Sequence, residues 1–497
     1  MSEALTLPQS TAQSPPRNVN PWLVLVIACM AQFMVVLDIT VVNIALPSMQ
    51  RGLHFSPANL QWIVNGYTLV FGGFLLLGGR AADLFGRKRL FLIGVGVFTV
   101  ASMLNGLAQS SGMLIVGRGL QGLGGALVSP AALSIVTTTF TDGEQRTKAL
   151  GVWSAIAAGG SAVGLLVGGA LTDLASWRWV FFVNLPVGII TFVLALRFVA
   201  ESRVNLARRS LDLAGAFTVT SGLVILVYAI VKAQSFGWGS ARTLGLGAVA
   251  VALLAAFVAI ESRSKAPLMR LSIFRVRSLA VADTVLLLLA SGMFGMFFFA
   301  SLYIQQILGY SPLKAGLAFL PVTAVIMIGA GLAQQLIRRF GVRNVGAFGI
   351  ALASVGLLVL TQLPVHGSYA GDVLPGLLPL GLGLGLAFVP ITLLGTSGVR
   401  EEDNGLASGL FNTAQQVGGS LGLAVLSTLA ASQAARVLHG SGLAAIQTAR
   451  VSGYHVAFLA AAIMLASGSV LLVVALRRSD LRDVEAAVEA GVQPIPA

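Results

Sequence analysis

The sequence predicts an all-α polytopic membrane protein with 14 transmembrane helices, and three observations carry that expectation. The chain is 56% hydrophobic and 10% charged, whereas soluble domains carry roughly 25% charged residues. Its mean hydropathy is +0.89. Apolar runs of the length that a bilayer core of about 30 Å requires recur along all 497 residues. This composition excludes an ordinary soluble enzyme, a disordered protein and a disulfide-rich secreted domain. The 58 glycines show no three-residue period of the collagen kind.

Residues 1–20 are polar and rich in Pro and Ser, which predicts a disordered cytoplasmic tail and not a secretory signal. Spans are then predicted at 22–46, 60–80, 89–108, 112–138, 148–172 and 178–199. A pair follows at 212–231 and 242–261. Six more are predicted at 279–307, 313–337, 343–363, 373–398, 404–432 and 454–476, with a loop at 433–453. The organisation expected is an N-terminal six-helix half (21–200), two linker helices with their loops (201–277), a C-terminal six-helix half (278–477) and a cytoplasmic tail (478–497). An even number of crossings returns both termini to one side.

The formal charge of +13 fits this topology. With the N-terminus inside, the inner loops hold Arg87, Lys88, Arg89, Arg146, Arg208, Arg209, Lys265, Arg275, Arg277, Arg338, Arg339, Arg343 and Arg478, among others. The outer loops hold Arg51, Arg178, Lys232, Arg242, Lys314, Arg436 and Arg450. The excess inside is about threefold, as the positive-inside rule requires. No basic stretch is interleaved with aromatics on a soluble domain, so nucleic acid is not an expected partner. The single cysteine, Cys29, lies in an apolar run and reads as a packing residue.

An internal repeat is faint but present. Gly79 to Arg89, with Asp83, Phe85, Gly86, Arg87 and Lys88, follows the second span, and Arg338-Arg339-Phe340-Gly341-Val342-Arg343 follows the tenth. Transporters are commonly built from repeated halves with a binding site between them.

Charge within a span is costly and points to function. Asp38 in the first span and Arg118 in the fourth fall at a shared depth, about eight and six residues from the predicted outer ends, or roughly 12 Å and 9 Å at the helical rise. They read either as a protonation switch or as a static ion pair that fixes packing. Asp283, in the ninth span, either pairs with Arg275 and Arg277 at the interface or forms a second proton or cation site. Gly164, Gly168 and Gly169 have the spacing of close helix packing. Candidate cavity residues are Asn43, Gln121, Phe294, Phe298, Tyr303, Asn412 and Gln416; the aromatics would stack on a flat hydrophobic cation. No hydrolase triad, Walker loop or metal-ligand cluster is present, so no catalytic residue, metal or cofactor is expected. Any pumping must draw on an ion gradient.

These residues resemble the 14-helix drug:proton antiporter branch of the major facilitator superfamily, over roughly residues 20–480. The match is carried by Leu37-Asp38 through Leu46-Pro47, by Gly79 through Arg89, by Arg118, Gln121 and Gly122, and by Trp177 through Asn184 and Pro186. The resemblance implies a major facilitator fold and alternating access by the two halves. It also implies proton-coupled export of hydrophobic, often cationic, compounds from a bacterial plasma membrane. It assigns Asp38 and Arg118 to proton coupling, and Asp83 with Gly86, Arg87 and Lys88 to a conformational lock against a helix N-terminus of the other half. Leu165 stands where the family's fifth-span motif has proline, and Ala81 and Leu84 also depart from the inside-loop pattern. The partners implied are a hydrophobic small molecule, protons and the bilayer, with the chain a monomer because it holds both halves. The alternatives are an exporter of an endogenous metabolite or lipid, and a symporter. A membrane enzyme lacks the catalytic cluster it would need.

Overall fold

The computed structural model describes residues 19–141, 143–203, 211–264, 267–396, 399, 403–477, 480–481 and 484. Among these are sixteen α-helices and no strand, and 14 helical segments are long and apolar enough to cross a membrane. The expected tails, apart from residues 19–20, 480–481 and 484, lie outside the described residues, as do Arg208, Arg209, Lys265 and Arg478.

The first group of helices is α1 (Pro21–Gly52), α2 (Trp62–Phe85), α3 (Arg87–Gly106), α4 (Ser111–Thr139), α5 (Gly143–Leu174), α6 (Trp179–Phe182) and α7 (Asn184–Phe198). Next come α8 (Leu213–Phe236) and α9 (Ala241–Arg263). The second group is α10 (Arg277–Gln306), α11 (Pro312–Ala318), α12 (Leu320–Phe340), α13 (Val342–Leu360), α14 (Leu374–Thr396), α15 (Asn404–Val437) and α16 (Leu443–Ala475). Helix starts follow local chemistry. The side chains of Asn20, Ser110, Asp212, Ser240 and Ser311 each accept from a backbone N–H of the first turn. Pro21 and Pro312 open α1 and α11, where the missing N–H costs nothing.

The structure corrects several expected boundaries. The first span runs six residues past Leu46, through Pro47 to Gly52, so Asp38 lies deeper than eight residues from its end. The sixth and tenth spans are each broken, at Val183 and Phe319. Pro186 and Pro321 lie just beyond those breaks and cannot donate back to the preceding turn. The expected 433–453 loop shrinks to a five-residue link, because α15 continues to Val437 and α16 starts at Leu443. Arg436 and Arg450 read as loop residues, yet a helix of 34 residues is about 51 Å long and carries its polar end beyond the apolar core.

The repeat is visible in the backbone. Gly86 (φ 110°) links α2 to α3 and Gly341 (φ 79°) links α12 to α13. Both adopt the left-handed region that a Cβ disfavours, and both are flanked by arginines. The starts of odd spans meet the ends of even ones. Trp22 packs edge-on against Phe140, with ring centroids 5.3 Å apart. The Arg87 N–H donates to Ser202 O (2.9 Å), and Arg277 Nε donates to Ala475 O (2.6 Å). These contacts define a near face, where α1 begins and α16 ends, and an opposite far face.

Within the first group α1 packs on α4, α5 and α7, and α4 packs on α2 and α3. In the second, α10 packs on α14, α15 and α16, and α13 on α14 and α16. Helix α8 lies across the α2–α15 seam, with Leu223, Val227 and Val231 against Trp62, Leu69 and Ala424. The linker pair is therefore packed on both groups, and α9 is carried on α8.

Candidate functional site

Helix α4 builds the centre of the site. Gly122 and Gly124 are pressed against the backbone of Tyr67 and Phe98, where a Cβ would collide. The resulting close approach of α2, α3 and α4 leaves Arg118 and Gln121 fully enclosed. Arg118 donates from Nη1 to Asp38 Oδ2 (2.5 Å) and to Gln121 Oε1 (2.8 Å). Its Nε donates to the Ile63 carbonyl at 2.9 Å. The guanidinium carbon stands 4.5 Å from the centroid of the Tyr67 ring, a cation–π arrangement. Asp38 is 0% exposed and Arg118 1%.

The other carboxylate oxygen, Asp38 Oδ1, accepts from Gln121 Nε2 (2.7 Å) and Asn184 Nδ2 (3.0 Å). Ser102 Oγ accepts from both amides, at 3.2 Å and 3.0 Å, and donates to Phe181 O at 2.9 Å. Asn105 Nδ2 donates to Gln121 Oε1 at 2.8 Å. The cluster therefore gathers α1, α3, α4 and α7 around one carboxylate. A buried charge needs this many partners.

The sequence reading placed Asp38, Arg118 and Gln121 in this region. The structure brings all three into direct contact, and it makes Gln121 a member of the charge network and not a residue of an open cavity wall. Ser102, Asn105 and Tyr67 escaped that reading, which named Asn184 only as part of the family resemblance and gave it no role. Ser102 and Asn105 are three apart in the third span and so share a face. The same test of polar residues within a span would have found them.

Asp283 stands apart, on α10. It is 7% exposed, and its Oδ1 has no hydrogen-bond partner among the described residues. Arg277 does not cover it; that side chain turns to Ala475 O and lies 3.7 Å from Asp480.

The remaining candidates divide between core and seam. Tyr303 is buried, with its hydroxyl donating to Pro364 O at 2.6 Å, and Phe298 is buried edge-on against Phe299. Phe294 is half-buried and lies over Gly419. Asn412 donates to Ser408 O of its own helix at 3.0 Å. Gln416 abuts Gly72 on α2 and leaves Oε1 without a partner among the described residues. One turn along the same seam, Thr68 and Ser420 share a hydrogen bond of 2.5 Å between the two groups.

At the far face the groups are joined more firmly. Pro47 has no N–H, so the Asn43 carbonyl loses its helical donor; Ser301 Oγ supplies one instead, at 3.0 Å. Gln305 Nε2 donates to Ile44 O (2.9 Å), and Gln306 Nε2 to Gln50 Oε1 (2.9 Å). The Asn43 amide itself turns back to Ile39 O at 3.2 Å. Gly164 and Gly168 seat α5 on Thr40 and Val41 of α1, and Gly169 meets the backbone of Pro312 and Leu313 on α11.

At the near face Asp83 pairs with Arg87 of its own turn, at 3.1 Å to Nη2 and 3.3 Å to Nε. Glu201, which the sequence reading did not single out, closes the start of α3. Its carboxylate accepts from the backbone N–H groups of Lys88 and Arg89, both at 3.2 Å. Lys88 Nζ reaches Leu196 O at 2.8 Å. A Cβ on Gly86 would lie 2.6 Å from Glu201 Cδ. Gly86→Ala is therefore expected to lower the thermal midpoint more in the native background than beside Glu201→Ala. A coupling of about 0.5–3 kcal/mol is expected in the double-mutant cycle, and additive losses would contradict the contact.

The Major Facilitator Superfamily family model matches residues 28–423. The chain belongs to this superfamily. It is 41% identical to the puromycin resistance protein pur8 of Streptomyces alboniger over 460 residues, covering 91% of this chain and 90% of that one. It is 39% identical to the cephamycin export protein CmcT of Amycolatopsis lactamdurans, over 90% of this chain and 91% of the relative. Its similar relatives are thus antibiotic resistance and export proteins of the superfamily, and they are transporters. Among solved structures, the POT family transporter PepTSo superposes with a TM-score of 0.65 at 18% identity, covering 92% of this chain and 99% of that one. A bacterial homologue of the human lysosomal transporter Spinster gives 0.62 at 16%, over 92% and 96%. At these identities the likeness establishes the fold. This major facilitator protein is multi-pass, with 14 candidate spans.

Proposed function

We propose that this protein exports hydrophobic, cationic small molecules across a bacterial plasma membrane in exchange for protons. The observation that carries the reading is the enclosed Asp38–Arg118 pair, the arrangement of acid and base within a span that costs most to bury. Asp38 is the proton-binding group. Arg118 holds the empty carboxylate, and cargo and proton use that carboxylate in alternation. The relatives' resistance and export roles support the direction of transport although Leu165 replaces the motif proline. The excess of cations on the near face supports a cytoplasmic placement of both termini. Access alternates between the six-helix halves 21–200 and 278–477, and the far-face contacts of α1 with α10 and of α5 with α11 close the outward path. Asp83, Gly86, Arg87 and Lys88 hold the near-face turn, and Asp283 serves as a second acid in the other half. Asn412, Gln416 and Phe294 line the half-to-half path for cargo. The working unit is one chain.

The test is transport by purified protein in liposomes. With an imposed pH gradient, ethidium is expected to move against its own gradient, and dissipating the proton gradient is expected to stop it. Ethidium flux that ignores the pH gradient would overturn proton coupling. Absence of flux for ethidium and for other lipophilic cations would overturn the cargo class in favour of a narrower metabolite.

A further inference from the structure

Asn184 belongs to the Trp177–Pro186 segment, for which the coupling mechanism above has no use. It opens α7 directly after the break at Val183, so its side chain is aimed by a helix start, not carried along a continuous span. The residue is 0% exposed. Its Nδ2 donates to Asp38 Oδ1 at 3.0 Å and to Ser102 Oγ at 3.0 Å, while Oδ1 of the same amide has no partner among the described residues. A buried acceptor without a donor is costly, and the network tolerates it here while the amide N–H faces the carboxylate.

We propose that Asn184 is a positioning residue for proton binding: its amide N–H stabilises the ionised form of Asp38 and so sets the pH at which that carboxylate exchanges its proton. The inference rests on the reading of Asp38 as the proton-binding group. The charged and titratable groups that face Asp38 are Arg118 from α4 and Tyr67 from α2. From α3 and α7 come the neutral Ser102 and Asn184, and Gln121 completes the shell. Arg118 supplies the charge, and Gln121 is braced by Arg118 and Asn105. Asn184 is the donor contributed by the broken sixth span, so movement of α7 relative to α1 adds or removes one hydrogen bond to the carboxylate. Loss of that bond favours the neutral acid, which ties proton uptake to the packing of α7.

Infrared spectra of protein reconstituted in lipid report this without any cargo. The protonated-carboxyl C=O band that is absent from Asp38→Asn is assigned to Asp38 and titrated between about pH 4 and pH 10. In Asn184→Leu and in the smaller Asn184→Ala, the midpoint of that band is expected to move to higher pH by about one unit, a tenfold change in proton affinity. Asn184→Ser, which restores a donor, is expected to return part of the shift. Equal midpoints in wild type, Asn184→Leu and Asn184→Ala overturn the proposal while leaving Asp38 as the coupling acid. Equal shifts in all three variants overturn it too, because the donor would then be irrelevant. No Asp38-dependent band at any pH in the wild type overturns the coupling reading and this inference with it.

Discussion

Asp38→Asn is expected to abolish proton-driven transport, with the initial rate of gradient-driven ethidium movement falling at least tenfold, or by about 1.4 kcal/mol or more. The carboxylate holds three donors, from Arg118, Gln121 and Asn184. An asparagine can keep Oδ1 facing the two amides, but it then presents its own N–H groups to the Arg118 guanidinium. It also carries no exchangeable charge, so no proton can be bound and released in a cycle. Arg118 keeps Ile63 O, Gln121 Oε1 and the Tyr67 ring as partners. The variant should therefore assemble, with a lower thermal midpoint because a buried guanidinium has lost its counter-charge. Asp38→Glu keeps the charge and should retain measurable coupling. Equal gradient-driven rates in wild type and Asp38→Asn would move the coupling role to Asp283, a buried acid on α10 of the second group.

Gly169→Leu should have the second largest effect, by forcing the far face open. A Cβ at Gly169 would lie 2.7 Å from Pro312 O and 3.0 Å from Leu313 Cα. These are backbone atoms of α11, so no side-chain rotation relieves the collision, and α5 and α11 must separate. Overpacking of this kind costs about 1–3 kcal/mol, which shifts a two-state equilibrium by roughly 5- to 150-fold. The cost falls on the far-closed arrangement, because that is where the contact exists. Spin labels at Arg51→Cys and Lys314→Cys, both exposed positions on the far face, should report a longer distance in Gly169→Leu when native Cys29 is replaced by Ser. Transport should fall because the cycle cannot close. An unchanged distance would mean that α11 yields locally and that this glycine is not part of the closure.

The near-face turn shows how local sequence and long-range contact share the work. Phe-Gly flanked by arginines is legible as a tight helix-to-helix turn, and the positive φ of both Gly86 and Gly341 follows from having no Cβ. Glu201, which caps that turn from more than 100 residues away, is not legible. Nothing in its own neighbourhood marks it, since a glutamate after an apolar run reads as an ordinary interfacial charge.

The sequence by itself determined the solvent, the number of crossings and the charged centre. Span count follows from apolar run length, because lipid forces every backbone group to be satisfied within a helix. Asp38 and Arg118 were marked by the cost of charge in hydrocarbon. Where helices begin was close to the predicted span starts at 22, 112, 242 and 313, for α1, α4, α9 and α11. Where they end was less so: α1 crosses Pro47, α15 crosses Arg436 and α16 crosses Arg450, since a helix that already has its hydrogen bonds need not stop at the edge of the apolar core. Only the tertiary structure decided which polar groups meet. Asp38 accepts from residues 80, 83 and 146 positions away, and Ser301 takes the place of a donor that Pro47 removed from a different helix. Such pairings depend on the angles and depths at which helices cross. These are set by small residues such as Gly122, Gly124 and Gly168 against a neighbour's backbone, and one chain's linear pattern does not record which neighbour that is.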